Sequence, residues 1–245
     1  MKDILYVLGS GSKYNDLEIK YSLMTVQRFV KNVRRIYVIG DLPRRPVDVD
    51  FQYIGAKDVG KDKSTCVRAK LVQFAKHETA LNDFILMNDD FFFCREVDAD
   101  AITPTASGTL EEHIASRADK SSRYHMALVN TARTLKAMKL TTRSFETHVP
   151  MLMQRDRFLD LVGRVKWDLS PSPLFRSLYG NTFDVEAGRL SDLKISEPVD
   201  EKEIRRRIGN RAVFSIGDGS LTSGGKMVKF LHHITHSEEY TPRGL

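Results

Sequence analysis

The stretch Phe84-Ile85-Leu86-Met87-Asn88-Asp89-Asp90-Phe91-Phe92-Phe93 decides the reading of the chain. Four apolar residues run straight into two acids, and three aromatics follow. The apolar run is too short for a helix and is bounded by Asn82-Asp83, so it reads as a buried strand. At its carboxyl end stand an amide and two adjacent carboxylates. In an open α/β sheet, ligands collect outside the carboxyl ends of the strands. Paired acids there repel one another unless a cation lies between them. A hard divalent ion, held by one or two carboxylates with a substrate's phosphates completing its shell, meets that need. A solvated Asn-Asp turn between two apolar runs is the plain alternative. Phe91-Phe92-Phe93 weighs against it, because a surface turn is rarely followed at once by a second apolar strand.

Towards the N-terminus, Ile4 to Leu8 is a continuous apolar run, a strand buried on both faces. Gly9-Ser10-Gly11-Ser12 follows, a turn whose small residues let backbone approach a ligand. It is not the six-position dinucleotide fingerprint. Asp16 is placed to cap a helix over Leu17 to Asn32, with Leu17, Tyr21, Met24, Val26 and Phe29 on its apolar face. Ile36 to Ile39 is a second strand, ended by Gly40-Asp41. A short strand over Phe51 to Ile54 sits in a loop-like region. Lys61-Asp62-Lys63-Ser64-Thr65 opens a helix to about Thr79, with Ser64 or Thr65 as N-cap. Lys63 and Arg68 stand near that helix start, a place that attracts phosphate.

After Asp98 the character changes. Residues 99 to 123 read as loop and weak helix, Met126 to Met138 as helix, and Met151 to Val165 as helix again. Leu174 to Tyr179 is a short helix or turn, and Ile208 to Ile216 a late strand ending in Gly217-Asp218-Gly219. The pattern is one domain with a helical insertion. At 245 residues the chain can bury a sizeable core, and 41% hydrophobic with 29% charged residues is ordinary for a soluble protein. No apolar run is long enough for a membrane span. Met1-Lys2-Asp3 leads into a strand without a signal-peptide pattern, so the expected location is cytoplasmic. Cys66 and Cys94 read as free thiols, and two cysteines alone do not make a zinc knuckle. The net charge of +6 points towards polyanionic partners. The dense cluster Arg205-Arg206-Arg207 reads as a solvated helix face.

Three segments together resemble the Stealth proteins, hexose-1-phosphate transferases of capsular polysaccharide synthesis and lysosomal-enzyme tagging. They are Asn15 to Leu23, Val33 to Asp41, and Asn88-Asp89-Asp90-Phe91-Phe92-Phe93. Phe145-Glu146-Thr147-His148-Val149-Pro150, Arg176-Ser177 and Phe214 to Asp218 extend the resemblance. It implies a GT-A-like α/β fold, that of nucleotide-diphospho-sugar transferases: a mostly parallel central sheet with helices on both faces. It further implies a nucleotide-sugar donor and a divalent metal, Mn²⁺ or Mg²⁺, on the double-Asp turn. Residues 1–98 would then form the donor half, and 99–245 the acceptor-side helical segment and C-terminal part.

On that resemblance Asp89 and Asp90 hold metal and diphosphate. Among the C-terminal histidines His232, His233 and His236, the spacing of His233 and His236 suits one helical face, so His233 could supply a last ligand, although no Glu or Cys completes a zinc set there. From their places in the chain, Gly9, Ser10 and Asp41, which end the two strands beside the acids, would contact the nucleoside, and Lys63 and Arg68 at a helix start would hold phosphates; a structural Gly turn and a solvated helix start are the plain alternatives. On the same resemblance His148 is the acid/base group, Arg176 steadies a transferring phosphate, and Asp218 is a rival base. One departure stands out: the family usually carries an acid after the first strand, where this chain has Gly9-Ser10-Gly11-Ser12. Plain glycosyl transfer therefore competes with sugar-phosphate transfer. The acceptor is a glycan or a hydroxymethylated DNA base. A nucleic-acid-binding or nucleotide-sugar-binding protein without turnover is the reading from another class.

Overall fold

The computed structural model describes residues 1–60, 62–189, 192–221, 225–238 and 240, so Lys61 lies outside the described residues. The first strand, β1 (Lys2–Leu8), is followed by α1 (Leu17–Phe29), β2 (Val30–Lys31), β3 (Val33–Gly40) and β4 (Gln52–Gly55). Then come α2 (Lys63–Ala75), β5 (Asp83–Met87), β6 (Phe91–Phe93), β7 (Val97–Asp98) and β8 (Thr105–Ala106). The second half contributes α3 (Leu110–Ser116), α4 (Arg123–Ala137), β9 (Met151–Gln154), α5 (Arg155–Arg164) and α6 (Phe175–Thr182). It closes with β10 (Gly188–Arg189), β11 (Lys194–Ile195), α7 (Glu201–Ile208), β12 (Val213–Ile216) and α8 (Lys226–His236).

The central sheet has the order β4-β3-β1-β5-β9. Its first four strands are parallel, and β9 joins the far edge antiparallel to β5. Alternation along the strands sends residues to two faces. Leu5, Tyr37, Ile39, Phe84 and Leu86 pack with Leu71 and Phe74 of α2, Leu128 of α4, Phe158 of α5 and Leu178 of α6. Ile4, Tyr6, Leu8, Val38, Ile85 and Met87 pack on the other face with Ile19, Leu23, Val26 and Phe29 of α1. Helices thus cover both faces of a mostly parallel sheet, as the resemblance implied at this coarse level. Residues before and after position 98 share the first of these cores.

Beyond the double-Asp turn the chain enters a second sheet, of order β11-β12-β6. Phe91, Phe92 and Phe93 are all fully buried, and β6 pairs antiparallel with β12 through Phe92↔Phe214. Two buried hydroxyls of α1 serve the backbone of β6. Ser22 Oγ donates to the Phe91 carbonyl at 2.5 Å, and Thr25 Oγ1 accepts from the Phe93 amide at 3.2 Å. Buried backbone groups must be paired, and these side chains satisfy the ones the ladder leaves.

Several expected boundaries are corrected. Met151–Gln154 is strand, because alternate residues Met151 and Met153 are buried against β5, and the helix begins only at Arg155. Ile208 ends α7, so the late strand is confined to Val213–Ile216. α1 ends at Phe29, where the backbone becomes extended and enters β2. Asp16 makes no side-chain cap; its buried carboxylate instead accepts from the backbone amide and the guanidinium of Arg44. Asp62, not Ser64 or Thr65, caps α2, accepting from Thr65 N at 3.0 Å. Arg205, Arg206 and Arg207 form the expected solvated face, paired with Glu201, Glu203 and Glu197. Among the described residues, no helix is long and apolar enough to cross a membrane.

Candidate active site

The turn Asn88-Asp89-Asp90 lies between β5 and β6, at the carboxyl end of the parallel strands and at the junction of the two sheets. The first turn of α1, the start of α2 and the buried Tyr6 of β1 also face Asp89 there. Burial pushes the Asp89 carboxyl up to about 6, the charge of Asp90 adds to this, and Lys63 opposes it. Glu18 of α1 pushes in the same direction as Asp90. Negative charge is thus concentrated in a half-buried place. Asp90 is held from the second sheet: its carbonyl accepts from Ile216 N at 3.1 Å, and its carboxylate pairs with Lys194 Nζ at 3.3 Å.

Arg176 and His148 arrive from the second half of the chain. Arg176 is 5% exposed, and a buried guanidinium requires acceptors. Its Nη2 donates to Asn88 Oδ1 at 3.2 Å and its Nη1 to the Val149 carbonyl at 3.1 Å. Both terminal nitrogens therefore have protein partners. These bonds form a clamp tying the 147–149 segment to the double-Asp turn. Burial lowers the Arg176 pKa, against which Glu146 and Asp90 act. The backbone amide of His148 donates to the Asp192 carboxylate. Burial first, and Lys194 second, hold the His148 imidazole below its ordinary pKa, with Asp192 and Asp90 opposing. A ring so placed is neutral near pH 7, the form that accepts a proton. A cavity of about 360 Å³ opens beside it, lined by Glu146, Asp192, Ser107, Glu112, His113 and Ser116.

The first β-α turn forms another wall. Ser12 Oγ accepts from the amides of Tyr14 and Asp16 and donates to Glu18, which orders the loop. Lys13 pairs with the Asp218 carboxylate, and Tyr14 Oη donates to the Asp218 carbonyl at 2.5 Å. Asp218 is thereby tied to the first turn, with its pKa lowered chiefly by Lys13. Ser10 is exposed, and a Cβ at Gly9 would lie 3.8 Å from Asp58 Oδ2. Gly40 has φ +119° and its Cβ would stand 1.9 Å from the Leu8 carbonyl oxygen, so only glycine fits where β3 runs beside β1. Asp41, half-buried, follows it and donates its amide to that same carbonyl. Lys70, 2% exposed, lies below, donating to the Leu8 carbonyl at 2.8 Å and pairing with Asp58.

The structure thus brings Asp89, Asp90, Lys63, His148, Arg176 and Asp218 into one charged neighbourhood. Gly9, Ser10 and Asp41 close the carboxyl ends of the adjacent strands. Two expected members stand apart. Arg68 is turned to the segment after α5: Nη1 donates to Ser172 Oγ at 3.0 Å and the guanidinium lies 4.2 Å over the Trp167 ring. Burial, the Ser172 bond and the Trp167 ring hold it towards that segment. His233 packs edge-on to Tyr240 at 5.8 Å, and no group of three or more His, Cys, Asp or Glu among the described residues is arranged to hold a metal. It therefore does not complete a set with Asp89 and Asp90. Lys194, Asp192 and Glu146 are the charged neighbours that spacing did not single out. Lys194 lies on a two-residue strand, too short to carry a period, and Asp192 just before it.

The donor chemistry at the turn suits a hard divalent ion. Two adjacent carboxylates, one of them half-buried with its pKa raised, carry charge that a cation relieves, while phosphate or water oxygens fill the remaining positions. No protein-family model matches this chain, and no curated protein matches it.

Proposed function

We propose that this chain is a transferase of GT-A type that moves a sugar, or a sugar-1-phosphate, from a nucleotide-sugar donor to a hydroxyl acceptor. The observation that carries the reading is the Asp89-Asp90 turn. It stands at the carboxyl end of a parallel sheet, desolvated at Asp89 and bordered by Lys63, Lys194 and Arg176. Such a place accepts a diphosphate together with a cation. A divalent ion there, Mg²⁺ or Mn²⁺ on Asp89 and Asp90, supplies positive charge against the leaving phosphate oxygens.

The chain's own residues do the rest. The ends of β1 and β3, with Gly9, Ser10 and Asp41, receive the nucleoside. Lys63 and Lys194 balance the diphosphate. The neutral imidazole of His148 takes the acceptor proton, with Asp192 fixing its backbone and Arg176 fixing the segment against Asn88. Asp218, already paired with Lys13, serves as a wall of the donor side rather than as base. The acceptor hydroxyl enters from the cavity beside His148. That cavity carries Glu112, Glu146 and Asp192, so a neutral sugar hydroxyl is favoured over a phosphate-rich acceptor.

A panel of nucleotide sugars, screened by thermal shift with and without Mn²⁺, tests this. A true donor at saturating concentration raises the melting temperature, by an amount equivalent to about 3 kcal/mol at a hundred times its Kd. Asp90→Ala then folds but does not turn the donor over. Absence of any donor effect, or wild-type turnover by Asp90→Ala, sinks the proposal.

A further inference from the structure

Far from the double-Asp turn in its chemistry, α8 carries three histidines on its last two turns. Its inward residues Met227, Phe230, Leu231 and Ile234 are buried together with Phe92, Phe214 and Ile216 of the second sheet. His232 and His236 are exposed on the opposite side, while His233 is half-buried against Tyr240. A spacing of i, i+4 puts His232 and His236 one above the other. Their rings are stacked, with centroids 4.0 Å apart and planes inclined by 12°, so a shared ion, which must lie in the plane of both imidazoles, requires the exposed His232 ring to turn about its side-chain bonds until one of its nitrogens converges on His236. They line an open groove of about 560 Å³ together with Tyr21, Val228, Lys229 and Ser237.

We propose that His232 and His236 form a two-nitrogen chelate for a borderline transition-metal cation of the Cu²⁺, Ni²⁺ or Zn²⁺ class. Two histidines at i, i+4 on one helical face are an established arrangement for holding such an ion. The hydrogen bonding at His236 supplies an independent argument. Its Nδ1 lies 3.1 Å from the His232 carbonyl oxygen and 2.9 Å from Thr235 Oγ1. A carbonyl only accepts, and the Thr235 hydroxyl directs its proton to the Leu231 carbonyl at 2.7 Å. Nδ1 therefore carries the ring proton, and Nε2 presents its lone pair to solvent. Metal-binding imidazoles characteristically have this pattern, with one nitrogen tied to a carbonyl and the other free. Imidazole nitrogen favours Cu²⁺, Ni²⁺ and Zn²⁺, whereas carboxylates and phosphates favour Mg²⁺ and Mn²⁺.

Water fills the remaining positions, since no third histidine, cysteine or carboxylate among the described residues completes a cluster. Lys229, a cation in the same groove, weakens the site without blocking either nitrogen. A bound ion links the last two turns of α8, so it also stabilises the helix packed with the second sheet. This site owes nothing to the proposed transferase activity and stands or falls apart from it.

The test uses the untagged full chain, freed of metal and titrated with Cu²⁺. The expected result is a spectrum with nitrogen couplings from coordinated imidazole and a rise in melting temperature. His232→Ala and His236→Ala each lose both effects, and His236→Gln does the same. His233→Ala retains them. Melting of each variant without metal establishes that it is folded. Failure of the wild type to bind Cu²⁺ overturns the proposal. So does binding by His232→Ala or His236→Ala with wild-type affinity and spectrum, or loss of binding in His233→Ala.

Discussion

Asp89 is the residue on which the electrostatics of the site converge. Its carboxyl is pushed up to about 6, first by burial and then by Asp90. The folded chain therefore holds this proton more tightly than the unfolded chain does. The associated stability is fully present below the ordinary carboxyl pKa and is lost as pH rises through about 6. In metal-free protein, Asp89→Asn should gain up to about 3 kcal/mol over wild type at neutral pH, the free energy of moving a carboxyl pKa that far. Thermal melts from about pH 4 to pH 7.5 check the sign: the two proteins diverge as pH rises, and a constant difference refutes the assignment. The Asp89-Asp90 pair was legible in the chain because an apolar run ends on it. His148 and Arg176 were legible only through the Stealth resemblance. Arg68 and His233 meet neighbours that the sequence did not indicate, for a common reason. Helical spacing fixes which residues share a face of their own helix, but not which neighbour that face meets. Trp167 and Ser172 claim Arg68, and Tyr240 claims His233.

Among the elements, α6 brings Arg176 to the site, and its seat depends on Gly180. A Cβ at Gly180 would lie 2.4 to 2.5 Å from carbons of the Phe145 ring, which is fully buried. The ring has nowhere to retreat within a packed core, so α6 must shift. Gly180→Ala should cost about 1 to 3 kcal/mol, the usual penalty of overpacking. Chemical denaturation measures it, and an unchanged midpoint contradicts the packing described. Phe145 stands immediately before Glu146, so turnover should fall together with stability. The parallel strands β1, β3 and β5 were readable from their continuous apolar runs, because both faces are covered. β9 was not: its four residues lead directly into α5, and hydrophobicity alone does not separate a short strand from the first turn of a helix. Only pairing with β5 distinguishes them. The cap of α2 was missed for a similar reason, since Asp62, Ser64 and Thr65 are all competent caps and backbone geometry selects among them.

At the scale of the whole molecule, the excess of 38 Lys and Arg over 32 Asp and Glu gives +6, a value that invites a polyanion. The fold disperses that charge. Lys136 is paired with Glu111, Arg143 with Asp184, Arg164 with Asp160, and the arginines of α7 with the glutamates around them. At the site itself, Lys194 faces Asp90, Lys13 faces Asp218, and Glu146 acts on Arg176. The acceptor cavity adds Glu112, Glu146 and Asp192. A duplex held through its phosphates needs a run of cations free to replace condensed counterions. A protein making about six to ten such contacts loses about 10³ to 10⁵ in affinity between about 50 and 200 mM salt. An extruded base also needs an apolar or aromatic pocket to stack in, and the cavity beside His148 is lined by polar residues. Transfer to an oligosaccharide, held by neutral hydrogen bonds, should therefore vary far less than a thousandfold over that salt range. With the donor from the thermal screen, label is offered to an oligosaccharide mixture and to hydroxymethylated duplex DNA across the salt series. Labelled oligosaccharide with a shallow salt dependence is the expected result. Labelled DNA whose yield collapses as salt rises would show that the dispersed cations act in concert after all, and that the acidic cavity is not where the acceptor enters.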